Sequence, residues 1–162
     1  MTSITVKSWS APPFGWLKCN LDVCRSKTQN QCGMAWVLRN DRGKVLHHSR
    51  RAFSNIASRE QANLFGLLWA VESMRDHHLN RVIFAIDDDT YTKVILRPKA
   101  WPSFKVQCLE ILERLRQMEW WRVMKEKSQA NRGAFLIVQS VFKHNLVQSY
   151  VAVGAPRWLQ DL

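Results

Sequence analysis

Two carboxylates sit where a folded chain could do chemistry with them. Asp22 falls inside LKCNLDVC, residues 17–24, and Asp87 directly follows RVIFAI, residues 81–86. Read with period two, Leu17, Cys19, Leu21 and Val23 take one face of a strand, while Lys18, Asn20 and Asp22 take the other. The acid therefore lies on a polar face that need not be core. In open α/β sheets ligands gather at the carboxyl ends of strands, so two carboxylates converging there make a candidate divalent-cation site. The same residues also suit turns and helix starts: Asp88 and Asp89 are ready capping residues, and Asp87 can be one too.

The elements that must position these acids can be read along the chain. Residues 1–15 read as an extended lead-in, closed by Pro12, Pro13 and Gly15. Strand-like segments follow at 16–23, 33–39 and 44–53, and the turn formers Asn40-Asp41-Arg42-Gly43 join the last two as a hairpin. Ser58 with Gln61 forms a capping box, after which Leu64, Leu67, Leu68, Val71 and Met74 recur at helical spacing. A short apolar strand at 81–86 leads into a helix that begins at Asp89 or Thr90 and stops before Pro98. A second helix starts at Pro102, with Cys108, Ile111, Leu112, Leu115 and Met118 on one stripe. WWRVMKE, 120–126, reads as a further strand. NRGAFLIVQSVF combines strand propensity with a helical face of Ala134, Val138, Val141 and Phe142. This order predicts an α/β domain with a mixed sheet spanning 16–145, with 146–162 as a C-terminal tail.

Composition sets the class. A chain of 162 residues, 46% hydrophobic, suits one domain with one core. No apolar run reaches bilayer length and the N-terminus lacks a signal-peptide core, so the expectation is a soluble, non-secreted, intracellular protein, nuclear or cytoplasmic, with no membrane partner. The four cysteines, Cys19, Cys24, Cys32 and Cys108, show no zinc-ligand spacing and read as reduced core residues. A net charge of +11, spread along the chain, favours a polyanionic partner, with nucleic acid first; a basic but inert surface competes with that reading. Trp36, Trp69 and Trp120 lie in apolar patterns and read as core residues rather than base-stacking platforms.

Five segments in order, WSAPPFGWLKCNLDVC, CGMAWVLRNDRGKVL, SREQANLFGLLWAVESM, RVIFAIDDD and QANRGAFLIVQS, resemble the plant branch of the type 1 ribonuclease H-like domains, found in retrotransposon polyproteins and as free-standing relatives. The resemblance runs from about Trp9 to Leu159. It implies a ribonuclease H-like fold, a five-stranded mixed sheet flanked by helices, and hydrolysis of the RNA strand of an RNA–DNA hybrid. That chemistry uses two Mg²⁺ ions about 4 Å apart, held by a set of four acids.

Two of those acids match. The first falls on Asp22 and the third on Asp87, whereas the second falls on Asn63 and the fourth on Phe135. Glu60 is the nearest substitute, three residues before Asn63 and about 4.5 Å lower along the helix axis. Asn63 can ligate through its carbonyl oxygen but brings no charge, and Phe135 cannot ligate at all. The expectation is one weakly held Mg²⁺ at Asp22 and Asp87, or none. His47, His48, His77, His78 and His144 do not fall at the position of the mobile histidine of active members.

Three readings compete. In the first, a catalytically degenerate domain, a monomer, binds an RNA–DNA hybrid or duplex through Arg25 and Lys27 in the loop after the first strand, and through Lys127, Asn131 and Arg132. Each of these five can equally be a solvated surface group, and Asn131 a helix cap. In the second, an active Mg²⁺-dependent hybrid ribonuclease uses Asp22, Asp87 and Glu60. In the third, a protein-interaction module presents Phe135 and the segment SYVAVGAPRWL to a protein partner; Phe135 can instead turn inward and fill the space left by absent ions.

Overall fold

Alternating side chains and one tight turn build the sheet. The computed structural model describes residues 9–26, 31–89, 93–94, 97, 100, 102–126 and 150–153. Strand β1 spans Leu17–Ser26, β2 Gln31–Arg39 and β3 Val45–Ser54. In the β2–β3 turn the Asn40 side-chain oxygen accepts from the backbone N–H groups of Arg42 and Lys44, at 3.0 and 2.9 Å. Gly43 completes the turn at φ 81°, a left-handed conformation that costs glycine little because it has no Cβ.

Helix α1, Arg59–Asp76, starts where the capping box predicts. The Ser58 hydroxyl accepts from the Gln61 N–H at 3.1 Å, while the Gln61 side chain accepts from the Ala57 N–H at 2.9 Å, so the reciprocal bond closes one residue early. Strand β4, Arg81–Ile86, follows, then a short 3₁₀ turn at Pro102–Phe104, helix α2, Lys105–Arg116, and strand β5, Trp120–Lys125. Between β4 and that turn, Lys93 N–H donates to Asp89 O and Arg97 N–H to Lys93 O, helical bonds where a helix is expected.

The five expected strands form one mixed sheet, in which β1, β4 and β5 are parallel and β2 and β3 antiparallel. A sixth strand, β6, Tyr150–Val153, lies antiparallel on the β3 edge through His47–Arg50, giving the order β5-β4-β1-β2-β3-β6. It comes from the stretch read as a tail. A β3 edge carrying unpaired backbone groups is a template for any nearby extended segment. Among the described residues no helix is long and apolar enough to cross a membrane.

The core lies between one face of the sheet and the two helices. Leu21, Trp36, Leu38 and Phe84 from the sheet meet Leu64, Leu67, Val71 and Met74 of α1 and Ile111 and Leu115 of α2. Helix α1 buries residues on a broad arc because it packs against both the sheet and α2. Gly66 sets its distance from the sheet: a Cβ there would lie 2.9 Å from Val23 Cγ2 and 3.3 Å from Met34 Sδ.

Three local expectations change. Trp120 is 53% exposed, because β5 is an edge strand and its outer positions meet no covering layer. Arg25 lies within β1, opposite Cys32, since pairing with β2 carries the strand to Ser26. The polar face of β1 is not solvated: Lys18, Asn20 and Asp22 are all buried. All four cysteines are free, with Cys19, Cys32 and Cys108 buried and Cys24 half-buried. Among the histidines, His48 is buried and the His47 and His77 rings lie 5.1 Å apart.

Candidate functional site

Because β1, β4 and β5 are adjacent and parallel, the carboxyl ends of β4 and β5 lie beside the middle of β1. The register pairs Leu21 with Ile86 and Ile86 with Lys125. One residue further along each strand stand Asp22, Asp87 and Glu126. The Glu126 N–H donates to Ile86 O at 2.6 Å, which carries the alignment past the end of β5. Three carboxylate residues therefore stand at one level across three neighbouring strands, Asp22 within β1 and Asp87 and Glu126 directly after β4 and β5.

They are not equivalent. Asp22 is 5% exposed and its Oδ2 has no hydrogen-bond partner among the described residues. Burial pushes its carboxyl up to about 7, the negative charge of Asp87 adds to the rise, and the Val23 N–H and Arg59 oppose it more weakly. Asp87 is also raised, chiefly by burial; its own backbone N–H pulls the other way, Asp88 adds to the rise, and Arg59 and Lys125 oppose it. Asp87 thus lies close enough to Asp22 for its charge to resist the ionisation of Asp22.

Glu126 belongs to a different arrangement. It accepts from Lys18 Nζ at 2.5 Å and from Asn20 Nδ2 at 2.6 Å, across the intervening strand β4. Lys18 also donates to Ser10 O at 2.8 Å, and Trp9 Nε1 donates to Asn20 Oδ1 at 3.0 Å. The Lys18 ammonium and the Arg39 guanidinium lie 5.4 and 5.1 Å from the Trp9 ring, a cation-flanked aromatic. The lead-in therefore crosses the polar face of β1 and seals it. The sequence reading missed Glu126, although an acid directly after a strand aligned with RVIFAI was the available signal.

Three cations ring the acidic run after β4. Arg59 Nη2 lies 3.3 Å from Asp88 Oδ2, Lys125 Nζ 2.8 Å from Asp89 Oδ1 and Lys93 Nζ 3.8 Å from Asp89 Oδ2. The hydrogen bond from Lys125 holds the Asp89 carboxyl below its ordinary range.

A family model described as reverse transcriptase-like matches residues 20–138. This chain belongs to that family. Its fold is that of RNase H1: the enzyme from the halophilic archaeon Halobacterium salinarum NRC-1 superposes with a TM-score of 0.70 at 16% identity, covering 80% of this chain and 99% of that one. LC11-RNase H1, isolated from compost, superposes in its complex with an RNA/DNA hybrid with a TM-score of 0.65 at 15% identity, over 80% and 99% of the two chains. The foamy viral protease-reverse transcriptase, in complex with dsDNA, gives 0.59 at 14% identity, over 76% and 90%. No curated protein matches the sequence.

Within this reverse transcriptase-like chain, three of the four expected acid positions, Asp22, Asn63 and Asp87, fall on described residues. Asp22 and Asp87 come together. Asn63 is buried on α1 with its Nδ2 donor unpartnered, and Glu60 is half-buried one turn earlier. Among the described residues no three of His, Cys, Asp and Glu gather into a set able to hold a metal ion, Glu60 included. The orphaned Asp22 oxygen beside Asp87 fits one cation at most. The residues do not fit a pair of divalent ions, because the second position offers a neutral amide and Asp88 and Asp89 already hold side-chain cations. Arg25 donates to Ala57 O at 3.3 Å, just ahead of α1, rather than standing in a loop. Lys27, Lys127, Asn131, Arg132, Phe135 and His144 lie outside the described residues, as does the segment NRGAFLIVQSVF.

Proposed function

We propose that this chain is a nucleic-acid-binding RNase H-like domain, directed to an RNA–DNA hybrid or duplex, whose two-metal centre is degenerate and does not support efficient cleavage. The observation that carries this reading is the ligand set itself: Asp22 and Asp87 converge, and a neutral amide, Asn63, whose Nδ2 has no partner among the described residues, stands where the resemblance calls for a third carboxylate. Two-metal hydrolysis depends on ions that activate water and stabilise the leaving oxygen, and the protein's part is to position them. Asp22 and Asp87 would hold a single Mg²⁺ weakly, which can neutralise phosphate charge but leaves one side of the displacement unsupported.

Binding is supported by other features. The net charge of +11 favours phosphate contacts through counterion release. One similar structure is a complex with an RNA/DNA hybrid and another a complex with dsDNA. We place the chain in the plant, retrotransposon-derived branch on the five sequence segments that resemble it.

The test is cleavage of a labelled RNA–DNA hybrid with Mg²⁺ or Mn²⁺, run with an Asp22→Asn control and a gel shift on the same substrate. A shift without cleavage is expected. Cleavage abolished by Asp22→Asn would replace this reading with an active hybrid ribonuclease. Neither cleavage nor shift would refute nucleic-acid binding and turn attention to protein partners.

A further inference from the structure

We propose that Arg59 is the resident cation of the acid site and a phosphodiester-binding residue, so that this chain engages a nucleic-acid backbone there without a divalent metal. The inference rests on the nucleic-acid reading above and names the group that replaces the metal in it.

Arg59 is the first residue of α1, and its side chain is 75% exposed. Its 3.3 Å contact with Asp88 is long for a charge-assisted hydrogen bond, which normally closes to about 2.7–2.9 Å. An exposed pair of this kind holds the guanidinium only loosely. A guanidinium carries five N–H donors in a planar fork, and the single contact to Asp88 engages one nitrogen. It can keep that contact and still donate to a phosphate oxygen from another edge.

The charge of Arg59 also reaches deeper, opposing the rise in both Asp22 and Asp87. Among the described residues its guanidinium acts on both site acids and also pairs with Asp88, which directly follows Asp87. Lys125 flanks the acidic run from β5, 53% exposed and bonded to Asp89, and Lys93 pairs with the same carboxylate. Asp22, Asp87, Asp88 and Asp89 thus meet three side-chain cations, which leaves about one formal negative charge. A pair of divalent ions would bring four positive charges to a site already neutralised by arginine and lysine, and repulsion from those cations weakens metal binding further. A phosphodiester needs the opposite: exposed donors in front and little net negative charge behind. Arg59 and Lys125 supply exposed donors, while Asp22 is buried.

The test measures binding of a labelled RNA–DNA hybrid to the full chain by fluorescence anisotropy at low salt, in Mg²⁺ and in EDTA, for wild type, Arg59→Gln and Asp88→Asn. The expected result is equal wild-type affinity with and without Mg²⁺, a loss of about tenfold in Arg59→Gln, and unchanged or tighter binding in Asp88→Asn, which frees the guanidinium. A parallel thermal-unfolding series with Mg²⁺ alone is expected to show a metal-induced rise in Tm for Arg59→Gln larger than for wild type, since the competing cation has gone. Wild-type binding that requires Mg²⁺, or an Arg59→Gln affinity equal to wild type, overturns the inference while leaving nucleic-acid binding intact. No wild-type binding in either buffer instead overturns the broader reading, and this inference with it.

Discussion

Lys18 Nζ lies 2.5 Å from Glu126 Oε1, with the two side chains only 3% and 7% exposed, so a buried ion pair ties β1 to the end of β5 across β4. Asn20 holds the second Glu126 oxygen and Ser10 O takes a further Lys18 proton, so most of the buried hydrogen-bonding capacity is used. Removing one partner leaves an uncompensated buried charge, whereas replacing both with apolar groups removes the desolvation cost as well. Lys18→Met and Glu126→Leu are each expected to cost about 3–5 kcal/mol, and the double variant far less than their sum. Urea denaturation of the four proteins measures this. Additive single losses would show that the two groups do not act as a pair.

Asp22 gives a stability signature of the opposite sign to an ordinary surface carboxylate. Its carboxyl titrates near 7 in the folded chain against an ordinary value of 3.8. Between those values the folded state holds a proton that the unfolded state has lost, so stability falls as pH rises through the window and the penalty is complete above about 7. Asp87 is raised as well and contributes in the same direction. Asp22→Asn removes the ionisation and is expected to stabilise the fold at pH above the window by about 1–3 kcal/mol, with little effect below it. Thermal unfolding across pH checks this, and a variant less stable than wild type in alkaline buffer would contradict it.

Gly66 tests how tightly α1 is seated. Alanine is favoured over glycine in a helix by about 1 kcal/mol, yet a Cβ at this position meets Val23 Cγ2 at 2.9 Å, and the χ1 stiffness of valine leaves it little room to yield. The steric term should win. Gly66→Ala is expected to lower stability by about 1–3 kcal/mol. Gly66→Ala paired with Val23→Ala is expected to recover part of that loss, measured by chemical denaturation.

These positions show which parts of the molecule the sequence made legible. Periodicity and turn chemistry located all five strands of the expected sheet, and Ser58 with Gln61 marked the start of α1 to the residue, because those signals are local. Asp22 and Asp87 were legible for a related reason: the polar face of an alternating strand and the place directly after an apolar run are local properties, and the meeting of the two acids follows once β1 and β4 are parallel neighbours, although β1 runs on past Asp22 to Ser26. Trp120 was misread because an apolar pattern does not reveal whether a strand has a neighbour on both sides. The Lys18–Asn20–Glu126 network and the guanidinium of Arg59 were not legible. Each depends on side chains from elements far apart in sequence, brought together only by the strand order and by the seating of α1.

Cys24 supplies a chemical reporter for the site. It lies two residues after Asp22, on the same face of β1 by the alternation of the strand, and it is the only one of the four free thiols that is not buried. Burial raises its thiol, and the charge of Asp22 raises it further. Alkylation of the native protein is therefore expected to label Cys24 first, and more slowly than an unhindered thiol, because only the thiolate reacts. Asp22→Asn removes the neighbouring charge and is expected to speed that labelling a few-fold at a pH above the Asp22 transition, with a smaller change below it. A bound hybrid is expected to slow labelling in wild type. Mass spectrometry of the labelled peptides reads all three effects, and labelling rates in the two proteins that stay equal at every pH would show that the Asp22 charge does not act on this thiol.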